Sequence, residues 1–170
     1  MRPRRYSGPA IFRILLAAVV LAGVSYGIYI ACYLPYDCNI FERSAESSMM
    51  AADDASGLRG AELARRNLEQ SFAWIERCPH DVDLYMIAAA SLRELGRSDA
   101  ATQMYERSLT LDRRPEIYLN LGQAQAEAGR TADAIPNLAA AVRFDPALIN
   151  EVPGALQQDV RHYLDSHKLL

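Results

Sequence analysis

The chain has 170 residues, 51% of them apolar, and a formal net charge of −3. That length holds one domain of ordinary size, or a membrane segment joined to a small domain. Charge is unevenly placed. Arg2, Arg4, Arg5 and Arg13 precede an apolar run with no acid among them, whereas 14 basic residues face 21 acidic ones from Pro35 onward. The acidic balance of the larger part argues against a nucleic-acid partner, because a phosphate backbone calls for clustered positive charge.

Residues 14–34 form the first predicted element, 21 residues without a charge. As a helix at 1.5 Å per residue the run is about 31 Å long, enough for a hydrocarbon core of roughly 30 Å. A cleavable export signal has a shorter apolar region followed by small residues in an A-x-A-like pattern. Here the run is longer and no such pattern ends it. Lipid attachment at Cys32 would call for Leu three residues earlier, where Tyr29 stands. A retained single-pass anchor is therefore expected, with a cleaved signal as the alternative. The arginines of residues 1–13 place the N-terminus on the cytoplasmic side, and Asp37 and Glu42 follow the exit. The rest of the chain is then expected outside an inner membrane, in the periplasm of a bacterium.

The anchor has two faces. Gly23, Gly27 and Ala31 are spaced by four, a row of small residues that lets another helix approach closely. Tyr26 and Tyr29, with Tyr33 and Tyr36, fall on a different face. Two readings stand: a plain anchor, or a helix that packs on other subunits of a membrane complex.

Residues 35–57 show little periodicity and read as a tether. Ala, Leu, Glu, Gln and Arg then dominate, residues that lose little freedom in a helix, and strand-like runs are absent, so the fold class is all-α. Helical patterning is expected over 58–166, leaving 167–170 as a tail. Within it, residues 85–114 and 118–147 align at an offset of 33. Tyr85 pairs with Tyr118, Ala89 with Gly122, Gly96 with Gly129, Ser98 with Thr131, Ala101 with Ala134, and Asp112 with Asp145. Gly96 and Gly129 are expected to end each first helix at positive φ, and Ser98 and Thr131 to cap each second helix. Each unit is thus helix, tight turn, helix.

This pattern resembles the tetratricopeptide repeat, in units of about 82–114 and 115–148. The second unit carries Tyr118, Leu121, Gly122, Ala134, Leu138, Ala141 and Pro146 at the family's characteristic positions. The first matches more loosely and has Arg113 where Pro is usual. Residues 68–79 read as a preceding half-unit whose Phe72 and Ile75 would pack on the next helix. Residues 155–166 read as a capping helix, which such arrays need to cover an apolar end.

The resemblance implies a protein–protein interaction scaffold, here an accessory or assembly subunit of an inner-membrane complex of energy-transducing or secretion type. An exported soluble peptide-binding module is the alternative. Partners would be other subunits and the lipid bilayer. By position, Met86, Ile87, Arg93, Leu119, Asn120, Gln123 and Glu127 would line the binding groove, unless two units make it too short for a peptide.

Chemistry is not advertised. His80, His162 and His167 form no ligand set, and there is neither a zinc spacing nor a phosphate loop. No enzyme activity, cofactor or metal is expected. Cys38 and Cys78 would share an oxidising compartment. Either they stay free, or they form a disulfide closing a loop of about 40 residues, worth roughly 4 kcal/mol by chain entropy.

Overall fold

The computed structural model describes residues 8–33 and 58–167 and contains no strand among them. The chain divides into two compact units, residues 1–40 and 41–170.

The first unit carries α1, Gly8–Ile28, which continues as a π-helical turn over Tyr29–Tyr33. Within it, Ile14–Ala31 is long and apolar enough to cross a membrane by length and composition. The helix begins at Gly8, ahead of the charge-free run. This turn includes Ala31, the last member of the expected small-residue row. Gly23 and Gly27 lie one α turn apart, but Ala31 sits in a turn closed by i→i+5 bonds. The wider turn rotates less per residue than an α turn, so Ala31 stays on the side of the two glycines. Tyr26 and Tyr29 are exposed, and nothing lies within 4 Å of a Cβ placed on either glycine.

The second unit contains α2 (Leu58–Ile75), α3 (Val82–Glu94), α4 (Ser98–Leu111), α5 (Pro115–Glu127), α6 (Thr131–Phe144) and α7 (Gln157–Ser166). Two 3₁₀ turns, Pro146–Asn150 and Gly154–Leu156, lead into α7. Successive helices pack on one another, α2 on α3 through to α6 on α7. The α2 helix buries Gly60, Ala64, Asn67, Leu68 and Ser71, one stripe at helical spacing. Ile75 continues that stripe and packs, partly buried, against the core layer that includes Leu68. Phe72 does not share it: it is 43% exposed, a correction to the expectation that Phe72 and Ile75 both pack on the next helix. Three residues make 300° of helix, and the 60° shortfall carries Phe72 off the narrow edge of this stripe.

Both hairpin turns close by the same device. Gly96 has φ +69° and Gly129 +76°. The Gly96 and Arg97 N–H groups donate to the carbonyls of Arg93 and Leu92, and those of Gly129 and Arg130 to Ala126 and Gln125. This is the paired Schellman bonding that satisfies the last carbonyls of a helix. The next helix starts at once, since Ala101 and Ala134 donate to the carbonyls of Arg97 and Arg130. Arg97 and Arg130 are therefore the N-caps, without side-chain caps. Ser98 and Thr131, expected as caps, sit one residue inside, because the turn leaves no spare residue between helices. The α3 helix does have a side-chain cap, Asp81 Oδ1 accepting from the Asp83 N–H at 3.1 Å.

The core is two connected layers. One joins Leu68, Ala88, Ala89, Leu92, Ala101, Tyr105, Leu121 and Ala124. The other joins Leu119, Ala134, Leu138 and Val142 to Val152, Leu156, Val160 and Leu164 of the C-terminal segment. That segment covers the end of the array, as a terminal cap must. At Gly122 the helices of the second hairpin meet most closely: an added Cβ would lie 2.6 Å from Leu138 Cγ and 3.1 Å from the Ala134 carbonyl oxygen. Pro136 is inside α6 but exposed, and its missing N–H removes the bond to the carbonyl of Ala132, itself an exposed residue.

Candidate functional site

The residues expected to form a groove come from α3 and α5, the first helices of the two hairpins. Ile87 and Leu119 are each only 4% exposed and belong to the interior, which corrects their assignment as groove residues. The cause is the breadth of the buried arc. Lying between α2 and α4, α3 buries Leu84, Tyr85, Ile87, Ala88, Ala89, Ser91 and Leu92. Leu119 is covered by Val152, Leu156 and their neighbours from the C-terminal segment. Met86, Arg93, Asn120 and Gln123 are half-buried, and Glu127 is exposed.

Arg93 and Glu127, in the last turns of α3 and α5, form a two-pronged pair. Arg93 Nε donates to Glu127 Oε2 at 3.0 Å, and its Nη2 to Oε1 at 2.5 Å. Arg93 Nη1 donates to Gln123 Oε1 at 3.2 Å, and Gln123 Nε2 to the Glu151 carbonyl at 3.0 Å. Ser98 Oγ donates to Glu127 Oε2 at 3.3 Å, the role its hydroxyl takes in place of capping. Both prongs of the Arg93 guanidinium are thus filled by Glu127 of its own chain.

Electrostatics agree with that geometry. Partial burial works against the Arg93 charge, but the Glu127 carboxylate and the Tyr105 hydroxyl outweigh it and hold the guanidinium more firmly protonated than usual. Tyr105, 1% exposed, has its own hydroxyl pushed up by burial, with Arg93 opposing.

A second arginine works at the opposite end of the same helices. Arg114, the N-cap of α5, pairs through Nη2 with Asp83 in the first turn of α3. The same nitrogen lies 3.7 Å from Met86 Sδ. Its Nε is 3.1 Å from Asp112 Oδ2 without meeting hydrogen-bond geometry, so that contact is Coulombic. Burial again opposes the charge, and the Asp83, Asp112 and Glu116 carboxylates overcome it.

The sequence pattern does not single out Arg114 or the new partner of Ser98. A signal was present for one pair. Arg93 and Glu127 are 34 apart, one more than the repeat offset, so they fall in the equivalent last turns of the two first helices. Cys78 is disulfide-bonded; Cys38 lies outside the described residues. No group of three or more His, Cys, Asp or Glu suited to a metal occurs among the described residues.

Two helix hairpins offset by 33 residues, each closed by a positive-φ glycine and packed in succession, define a helical-repeat interaction module. Residues 82–115 and 115–148 each match the tetratricopeptide repeat family. Comparison with curated proteins finds no match.

Proposed function

We propose that the protein is a membrane-anchored interaction scaffold, an accessory or assembly subunit of an inner-membrane complex of energy-transducing or secretion type. The observation that carries this reading is the pairing of one membrane-compatible helix with two repeats of an interaction family on the same chain. In this reading α1 spans the membrane once, with the arginines of residues 1–13 cytoplasmic and the repeats periplasmic. The Gly23/Gly27/Ala31 side of α1 packs on other membrane subunits, while the lipid bilayer surrounds the remainder. Partner contact with the repeats involves Met86, Arg93, Asn120, Gln123 and Glu127. No catalysis belongs to this reading. Cys38 is the proposed disulfide partner of Cys78.

Purification of the native protein from membranes in mild detergent, with mass spectrometry of what accompanies it, tests the proposal. A stoichiometric set of membrane subunits with the full-length chain is the expected result. A solitary chain shortened within residues 14–34 and found in the soluble fraction overturns it in favour of an exported binding module.

A further inference from the structure

The helices that would receive a partner, α3 and α5, hardly touch through their backbones. Each packs on α4, and their mutual connection across the exposed face is made by side chains. Those side chains are two arginines with crossed polarity. At the C-terminal ends the cation is on α3, as Arg93, and the anion on α5, as Glu127. At the N-terminal ends the anion is on α3, as Asp83, and the cation heads α5, as Arg114.

We infer that these two arginine–carboxylate pairs form a latch that sets the opening between α3 and α5, and hence the width of the face offered to a partner. The inference rests on the proposed function of that face, but its test reads geometry alone.

The physical case has three parts. A planar guanidinium fixed on both carboxylate oxygens is directional, so the Arg93–Glu127 pair constrains orientation as well as distance. Arg93 is also braced by Gln123 and set beside the buried Tyr105 hydroxyl, so its head has little freedom to follow Glu127 if α5 moves. Finally, the crossed polarity gives each pair an opposite sign along the two helices. A partner anion at Arg93 must displace Glu127, and a partner cation at Asp83 must displace Arg114. Either exchange releases α5 from α3 at that end, so occupancy and opening are coupled.

Both pairs are partly exposed, so salt weakens them: the screening length falls from about 30 Å at 0.01 M ionic strength to about 3 Å at 1 M.

The measurement is a distance across the array in the full chain held in detergent micelles. Spin labels attach through genetically encoded ketone side chains at exposed positions 69 on α2 and 161 on α7, leaving the cysteines untouched. Pulsed electron–electron resonance is expected to give one narrow distance for the wild type at low salt. Arg93→Gln and Glu127→Gln should each shift and broaden it, as should about 1 M salt on the wild type. The swapped variant R93E/E127R should restore the narrow distance, because Tyr105 and Gln123 can both donate to a carboxylate at position 93. Circular dichroism checks folding. If Arg93→Gln unfolds, Glu127→Gln carries the comparison, since its side chain is exposed. A distance unchanged in the neutral variants, or a swap as broad as the single changes, overturns the inference and leaves packing on α4 as what sets the opening.

Discussion

Replacing Gly122 with Ala isolates the tightest contact in the array. Two effects oppose each other. Removing a glycine from a helix interior gains about 1 kcal/mol in propensity. The added methyl, however, would sit 2.6 and 2.8 Å from Leu138 Cγ and Cδ2, where carbon atoms prefer about 3.5–4.0 Å. Leu138 must retreat by about 1 Å, yet it is fully buried and Ala134 and Val142 pack in the same layer. Overpacking of this kind costs about 1–3 kcal/mol. With side chain and carbonyl both crowded, the upper part of that range applies, and the net loss is about 1–2 kcal/mol after the propensity gain. A double-mutant cycle makes the argument sharper. Leu138→Ala alone should cost about 2–5 kcal/mol, but it removes the atoms the new methyl meets. In that background Gly122→Ala should become stabilising, giving a coupling of about 2 kcal/mol or more. Urea denaturation of the four proteins, followed by circular dichroism, supplies the values. If Gly122→Ala is neutral or stabilising on its own, or has the same effect in both backgrounds, the close-approach account is wrong.

Other substitutions probe single physical causes. Ser91 is buried with no hydrogen-bond partner for its hydroxyl, and the second repeat has the buried Ala124 at the equivalent place; Ser91→Ala should raise stability by about 1 kcal/mol in urea denaturation. Gly129→Ala meets no steric obstacle but retains φ +76°, so it should cost about 1–2 kcal/mol from backbone conformation alone, with Asn at the same place milder. Asp81 has its carboxyl raised by burial, against the N–H groups of Leu84 and Asp83 that lower it. A raised folded value means the protonated form is favoured, so this group's contribution is greatest below the usual carboxylate range and declines as pH rises through the shifted value. Asp81→Asn keeps the cap without the charge; its stability relative to wild type should therefore increase between acid and neutral pH, and a decrease would refute the assignment.

The repeat was legible because its markers are backbone requirements. Gly96 and Gly129 recur at the offset because a left-handed turn tolerates little else, and Gly122 is small because Leu138 lies against it. Burial was less legible. Ile87 and Leu119 sit where a single hairpin would expose them, and only their neighbours, α2 for the broad arc of α3 and the C-terminal segment for Leu119, bury them. Those neighbours are set by tertiary packing, which a local pattern does not encode. The same holds for Arg93, Glu127 and Arg114. Their residue types suit a ligand site, but whether a charge meets a partner protein or a charge of its own chain depends on the distance between two helices.

The wide turn at Tyr29–Tyr33 alters how the end of α1 responds to changes in length. An α-helix fixes the azimuth of every residue to its count from the start, so one inserted residue rotates all that follow. A π turn is such an insertion already absorbed, with the excess accommodated in one loop of the ladder. The direction in which the chain leaves this helix is thus decoupled from the face on which Gly23 and Gly27 lie. Either can be retuned by a single residue at the turn while the other stays in phase.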